Sequence, residues 1–107
     1  YLNPVQIVSG TLAYAIGCGK AVVSTPYLYA QELLANGRGF MVPFRDSSAI
    51  ATTLVALLDD PELRETTQRR AYKFGRRMTW PNVAHGYGEL FTELLPASRR
   101  EELATPA

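Results

Sequence analysis

The chain has 107 residues, of which 47% are hydrophobic and 20% charged, so it can build a core and is not a disordered segment. Eleven basic and ten acidic residues leave a net charge of +1, which indicates no particular class of partner. One cysteine and one histidine exclude an internal disulfide and a multi-cysteine zinc site. No apolar run is long enough to cross a membrane. Because patterned sequence begins at Tyr1 itself, we expect a fragment that lacks its N-terminal part.

Helix and strand signals alternate along the first half of the chain. Ser9 predicts an N-cap for a mostly buried helix over residues 10–16. The β-branched run 21–25 predicts a central strand, and a short helix over 30–35 separates it from a second strand over 39–44.

Three further helices are expected after the second strand. Asp46 caps the first, and Asp60 with Pro61 begins the second. The third runs from about residue 81 to residue 95. The first of these helices carries an apolar stripe that predicts its buried face: Ile50, Leu54, Leu57 and Leu58. The order of elements predicts an α/β fold with a parallel sheet, although two strands are fewer than a sheet usually has.

The triplet Ser9-Gly10-Thr11 has two interpretations. The first N–H groups of a helix lack internal partners and lie at the positive end of its dipole. Glycine lets a phosphate approach the backbone closely, and the two hydroxyls can add donors. The triplet therefore predicts either a phosphate-binding helix start or an ordinary N-cap on a core helix. It lacks the glycine spacing of the common nucleotide-binding loops.

The stretch from Gly17 to Thr25 resembles the C-terminal, nucleotide-sugar-binding domain of GT-B-fold glycosyltransferases of the family-four type. The resemblance covers about residues 3–95, which we interpret as a partial donor-binding domain, with 96–107 as a flexible tail. Further motifs of that family follow in order: Asn36-Gly37, Gly39-Phe40-Met41-Val42-Pro43, Asp60-Pro61-Glu62-Leu63-Arg64 and Trp80-Pro81-Asn82-Val83-Ala84.

The resemblance implies the C-terminal half of a Rossmann-like domain and an activity. The intact enzyme would transfer a sugar, with retention of configuration, from a nucleotide-diphosphate sugar to a saccharide or lipid-linked acceptor. It would use no metal or other cofactor and would act in the cytoplasm. The acceptor domain would precede Tyr1, so the fragment alone is expected to be inactive.

Two hallmark glutamates of that family, separated by seven residues, fall on Gln6 and Tyr14. By resemblance, the first position would hold hydroxyls of the donor sugar and the second those of the ribose. Gln6 can still form hydrogen bonds but carries no charge, and Tyr14 offers a hydroxyl or a ring for stacking. The resemblance thus implies a donor-binding site that consists of Gln6, Ser9, Gly10, Thr11 and Tyr14. It identifies no certain catalytic residue, although Gln6 occupies the position of the first hallmark acid.

Loss of both acids leaves an alternative, a non-catalytic nucleotide-sugar-binding or interaction module. A nucleic-acid-binding domain is disfavoured, because the net charge is nearly neutral and no recognition motif is present. The basic run from Arg69 to Arg77 is either a solvated face or a peripheral contact with the anionic inner face of a membrane.

The remaining polar and aromatic residues carry simpler expectations. The loop 25–27 follows a predicted strand, so it either points at a ligand crevice or packs its tyrosine on a helix. Arg38 and Arg45 either face a phosphate or are solvated.

Three residues of types that often carry chemistry are assigned structural roles. Cys18 is expected to be a small buried residue. Trp80 is expected to anchor the last helix in the core. His85 has no partner acid or nucleophile at a fixed spacing, so a structural or exposed role is expected for it.

Overall fold

The computed structural model describes residues 1–104, apart from the side chain of Leu103. The chain forms two compact units, Tyr1–Arg76 and Arg77–Ala107. The first unit contains four helices and two strands, and the part of the second unit up to residue 104 contains two α-helices. In chain order the first unit has α1 (Gly10–Gly17), β1 (Val23–Ser24), α2 (Leu28–Leu33), β2 (Phe40–Met41), α3 (Ser47–Asp59) and α4 (Pro61–Gly75). A 3₁₀ turn, Arg76–Met78, follows, and α5 (Trp80–Leu94) and α6 (Ala97–Ala104) belong to the second unit.

The two strands are parallel, with Val23 opposite Phe40 and Ser24 opposite Met41. This confirms the predicted α/β class with parallel strands. Each strand has only two residues, however, whereas the sequence predicted five and six. Within residues 1–104 each strand has a partner on one side only, so only the few residues that face each other form ladder hydrogen bonds.

The helix starts follow the capping signals of the sequence. The Ser9 hydroxyl, the Asp46 carboxylate and the Asp60 carboxylate each accept a hydrogen bond from the third N–H of the helix that follows. Pro61 takes the first position of α4, where its missing N–H costs no hydrogen bond.

The core of the first unit lies where α1 packs against α4. Ile16 of α1 is fully buried, and Thr67, Ala71 and Gly75 form the buried face of α4 at a spacing of four residues. These three residues are small, and that allows the two helices to approach closely.

The buried stripe predicted for α3 is wrong for three of its four residues. Leu57 is buried, but Ile50, Leu54 and Leu58 are exposed, Leu58 to 71%. The helix contacts α4 and β1, and its other apolar ridge has no partner in the first unit. Periodicity identified an apolar helix, and tertiary packing decided how much of it is covered.

The second unit differs from its prediction at Trp80. Trp80, expected in a core, is 85% exposed, because it opens α5 and has nothing packed around it within this unit. Residues Ala97–Ala104, within the predicted C-terminal tail, form a helix rich in alanine, arginine and glutamate, which are good helix formers. Residues 105–107 of that predicted tail lie outside the described residues.

Candidate functional site

The segment before α1 lies along the loop that follows β1. The Thr25 hydroxyl donates to the Tyr1 carbonyl oxygen at 2.6 Å. Further along, the Leu28 N–H donates to the Pro4 carbonyl oxygen at 2.9 Å and the Tyr29 N–H to that of Gln6 at 3.4 Å. These bonds bring the start of α1 to the carboxyl end of β1, the edge at which open α/β sheets bind their ligands.

Ser9 acts as the N-cap that its position predicted. It is buried, and its hydroxyl oxygen accepts hydrogen bonds from the Leu12 N–H at 3.1 Å and from the Tyr1 hydroxyl at 3.2 Å. The hydroxyl oxygen of Ser9 therefore already accepts two hydrogen bonds from within the protein. A ligand at this helix start would meet the exposed residues that follow Ser9.

Gly10 and Thr11 are exposed at the first two positions of α1. Within residues 1–104 their N–H groups have no hydrogen-bond partner. A Cβ atom added to Gly10 would meet no atom within 4 Å, so no packing requires glycine there. The helix start thus presents two backbone donors and open space, which is the geometry that an anion needs.

Tyr14 lies one turn along the same exposed side of α1 as Gly10 and Thr11. It is 80% exposed, so both its ring and its hydroxyl are accessible. The structure therefore brings three of the predicted donor-site residues to one face of a short helix.

Gln6 is half-buried in the segment before the helix. Its side-chain N–H donates to the Val8 carbonyl oxygen at 2.8 Å, which shapes the backbone that leads to Ser9. The side-chain oxygen of Gln6 has no partner within the described residues and remains able to accept a hydrogen bond.

Two tyrosines near this edge have different roles. Tyr27 is 2% exposed, so it is packed inside the protein, and its ring lies edge-on to that of Tyr1, a residue outside the helices, with the ring centres 4.9 Å apart. Burial, Glu32 and then Tyr27 raise the pKa of Tyr29. Tyr1 also lies at this edge, and no pattern in the sequence predicted a role for it.

Arg38 serves the protein rather than a phosphate. Its guanidinium donates to the carbonyl oxygens of Leu33 at 2.8 Å and Glu32 at 2.7 Å, and it lies over the Phe74 ring at 3.9 Å. Arg45, in contrast, is exposed after β2 and adopts a left-handed backbone with φ 56°.

Two other expectations have clear outcomes. Cys18 is exposed, not buried, because it is the C-cap of α1 and lies at the helix end. His85 is exposed, and its Nε2 atom lies 3.1 Å from a carboxylate oxygen of Glu89, as expected for a residue on a solvated helix face.

Residues 1–104 contain neither a candidate metal centre nor a candidate membrane-spanning helix. This part of the chain contains no group of three or more histidine, cysteine, aspartate or glutamate residues arranged to hold a metal ion. None of its helices combines the length and the apolar character that crossing a membrane requires.

The chain is similar to a curated protein of Methanocaldococcus jannaschii named as an uncharacterized glycosyltransferase. The two are 27% identical over 89 residues, which cover 81% of this chain and 23% of that protein. The chain thus spans about a quarter of the length of this relative. No family model matches the sequence, and no solved structure matches it.

Proposed function

We propose that this chain is part of the donor-binding domain of a glycosyltransferase with a GT-B, Rossmann-like architecture. The proposal is supported by the name of the archaeal relative, by the parallel α/β arrangement and by the ordered motifs of the sequence. The intact enzyme would break the bond between the anomeric carbon of a nucleotide-diphosphate sugar and its diphosphate. It would then join that carbon, with retention of configuration, to a hydroxyl of a saccharide or lipid-linked acceptor.

The start of α1 is the observation that carries the proposal. Neither packing nor a left-handed backbone requires a glycine at position 10. The backbone N–H groups of Gly10 and Thr11 have no hydrogen-bond partner within residues 1–104. A diphosphate placed there would receive both backbone donors and the positive end of the helix dipole. No metal is expected, because these groups would offset the charge of the leaving diphosphate together with basic side chains from elsewhere in the enzyme.

The other residues of the proposed site have separate roles. The Thr11 hydroxyl would add a third donor to the diphosphate. Gln6 would accept from or donate to the sugar hydroxyls, and Tyr14 would stack on the base or ribose or bind them through its hydroxyl. The acceptor would be held by the part of the enzyme that precedes this domain, and the enzyme would act in the cytoplasm.

Calorimetry with a nucleotide-diphosphate sugar tests the proposal. Gly10→Val should abolish or strongly weaken binding, because its branched side chain occupies the space of the phosphate. Gly86→Val is the matched control, since Gly86 is also an exposed helical glycine whose Cβ would meet open space. Equal binding by both variants would show that the helix start is only a cap.

A second function is favoured by a specific observation. Gln6 and Tyr14 replace both acids of the resembled family, so the chain can belong to a module that binds a nucleotide sugar without turnover. Release of nucleoside diphosphate by the intact protein in the presence of acceptors separates the two functions. Binding with no release would favour the module.

A further inference from the structure

The exposed side of α3 carries no charge. The stretch from Ser47 to Leu58 contains no acidic or basic side chain, although Leu57 is its only buried residue. The exposed side of a helix usually carries charged side chains, as that of α4 does. The surface of α3 is therefore unusual for one that faces water.

Five neighbouring residues form an apolar ridge on this side of α3. Ile50, Leu54 and Leu58 are spaced by four residues, so they follow one line along the helix, and Ala51 and Val55 lie beside them. All five are exposed. A continuous apolar ridge on the surface of a folded protein usually marks a place that another protein covers.

The two ends of α3 carry exposed charges of opposite sign. Asp46 and Asp60 use their carboxylates as N-caps of α3 and α4. Arg45 and Asp59 are exposed, and neither has an ion-pair partner within residues 1–104. Arg64 donates to backbone carbonyl oxygens at the end of α3 rather than to Asp59. The ridge is thus bounded by a cation before its first turn and an acid after its last.

An antiparallel pair of α3 helices would match both features. A two-fold axis through residue 52 places Arg45 of one copy at the height of Asp59 of the second copy, and the same contact recurs at the other end. The axis likewise places Ile50 at the height of Leu54. No charge lies between the two ends, so the ridge can leave water without burying an unpaired ion.

We propose that the exposed side of α3 is the interface of a homodimer, in which a second copy of this chain packs its own α3 in the antiparallel direction. The ridge supplies the apolar contact, and the pairs of Arg45 with Asp59 fix the direction and the register. A single helix pair is smaller than the roughly 1,200–2,000 Å² of a stable interface, so the dimer should dissociate on dilution. The inference does not depend on the proposed donor site, to which α3 contributes no residue.

Sedimentation equilibrium of the full chain over a range of concentrations tests the dimer. Leu58→Glu should raise its dissociation constant at least about tenfold, because symmetry places two carboxylates in the apolar contact. Leu94→Glu is the matched control, since Leu94 is also an exposed leucine in the last turn of a helix, α5. An equal effect of the two changes would overturn α3 as the interface, and a monomer at every concentration would overturn the dimer.

Exchange of the two charges tests the direction of pairing. Arg45→Asp and Asp59→Arg should each raise the dissociation constant about tenfold, because each change sets like charges opposite each other at both ends. Aspartate suits position 45, since it tolerates the left-handed backbone there, with φ 56°, better than most residues. The protein with both changes should recover most of the affinity. A double variant as weak as the single ones would overturn the antiparallel register.

Disulfide trapping tests the position of the axis. In a protein with Cys18→Ser, the change Ala51→Cys should give a covalent dimer on oxidation, because residue 51 lies beside the proposed axis. Ala56→Cys is the matched control, since Ala56 is an exposed alanine on another side of the same helix. Equal yields of covalent dimer from the two variants would overturn the ridge as the contact surface.

Discussion

The helix residue Gly75 lies directly against Gly17, at the crossing of α4 and α1. A Cβ atom at Gly75 would lie 2.9 Å from the Gly17 Cα atom and 2.8 Å from the Ile16 carbonyl oxygen. Both neighbours are backbone atoms, which cannot move aside as a flexible side chain can. The close approach of the two helices therefore depends on the absence of a side chain at this position.

We predict that Gly75→Ala destabilises the protein by about 1–3 kcal/mol, although alanine is the better helix former. Gly88→Ala is the control, because a Cβ atom at Gly88 would meet open space within α5. That change should be neutral or stabilising by up to about 1 kcal/mol. Urea unfolding followed by circular dichroism measures both changes, and similar values for the two variants would contradict the close packing.

Ser9→Ala should lower stability by about 1 kcal/mol, because the Leu12 N–H loses the oxygen that caps it. Ser9→Asp should recover most of this loss, since aspartate is an equally good N-cap. Thermal unfolding of the three proteins checks the expectation. If Ser9→Ala leaves the unfolding temperature unchanged, the buried hydroxyl is not the cap that the structure describes.

Thr11→Ala should weaken binding of a nucleoside diphosphate by about 0.5–1.5 kcal/mol if its hydroxyl is a neutral partner, and by up to about 3 kcal/mol if it meets a charged oxygen. Stability should change little, because Thr11 is exposed and its hydroxyl has no partner within residues 1–104. Calorimetry gives the affinity and thermal unfolding the stability. A change in stability alone would remove Thr11 from the proposed site.

Gln6→Ala should reduce affinity for the nucleotide sugar but hardly change affinity for the nucleoside diphosphate, because Gln6 is proposed to contact the sugar. Gln6→Glu should be tolerated, since it restores the acid of the resembled family. The two ligands are compared by calorimetry on each variant. An equal loss for both ligands would mean that Gln6 acts by shaping the segment before α1, through its bond to Val8.

The raised pKa of Tyr29 predicts a pH dependence of stability. Burial is the main cause, and the folded state therefore holds the phenolic proton more tightly than the unfolded state, whose pKa is about 10. The contribution of Tyr29 to the free energy of unfolding is present in full below pH 10. It is lost as the pH rises from 10 through the pKa of Tyr29 in the folded state.

The measurement for Tyr29 is urea unfolding on both sides of pH 10. Tyr29→Phe should make stability decline less steeply above that pH, because phenylalanine has no proton to lose. Tyr14→Phe is the control, since Tyr14 is almost fully exposed. An identical pH dependence in the two variants would contradict the role of burial at Tyr29.

The sequence by itself determined where three of the helices begin and that helices alternate with parallel strands. Ser9, Asp46 and Asp60 predicted three helix starts, because capping is a local interaction between a side chain and an N–H group three residues later. The alternation of helical and β-branched stretches predicted the parallel strands for a similar reason.

Only the tertiary structure decided which residues are covered and which are brought together. Ile50, Leu54 and Leu58 have the spacing of a buried stripe, but burial also needs a partner surface, and the described first unit provides one only for Leu57. The pairing of Tyr1 with Tyr27, and of the Cys18-Gly19 turn with Tyr72, joins residues far apart in the chain. Such contacts depend on how the helices pack, and no local pattern of a single sequence encodes them.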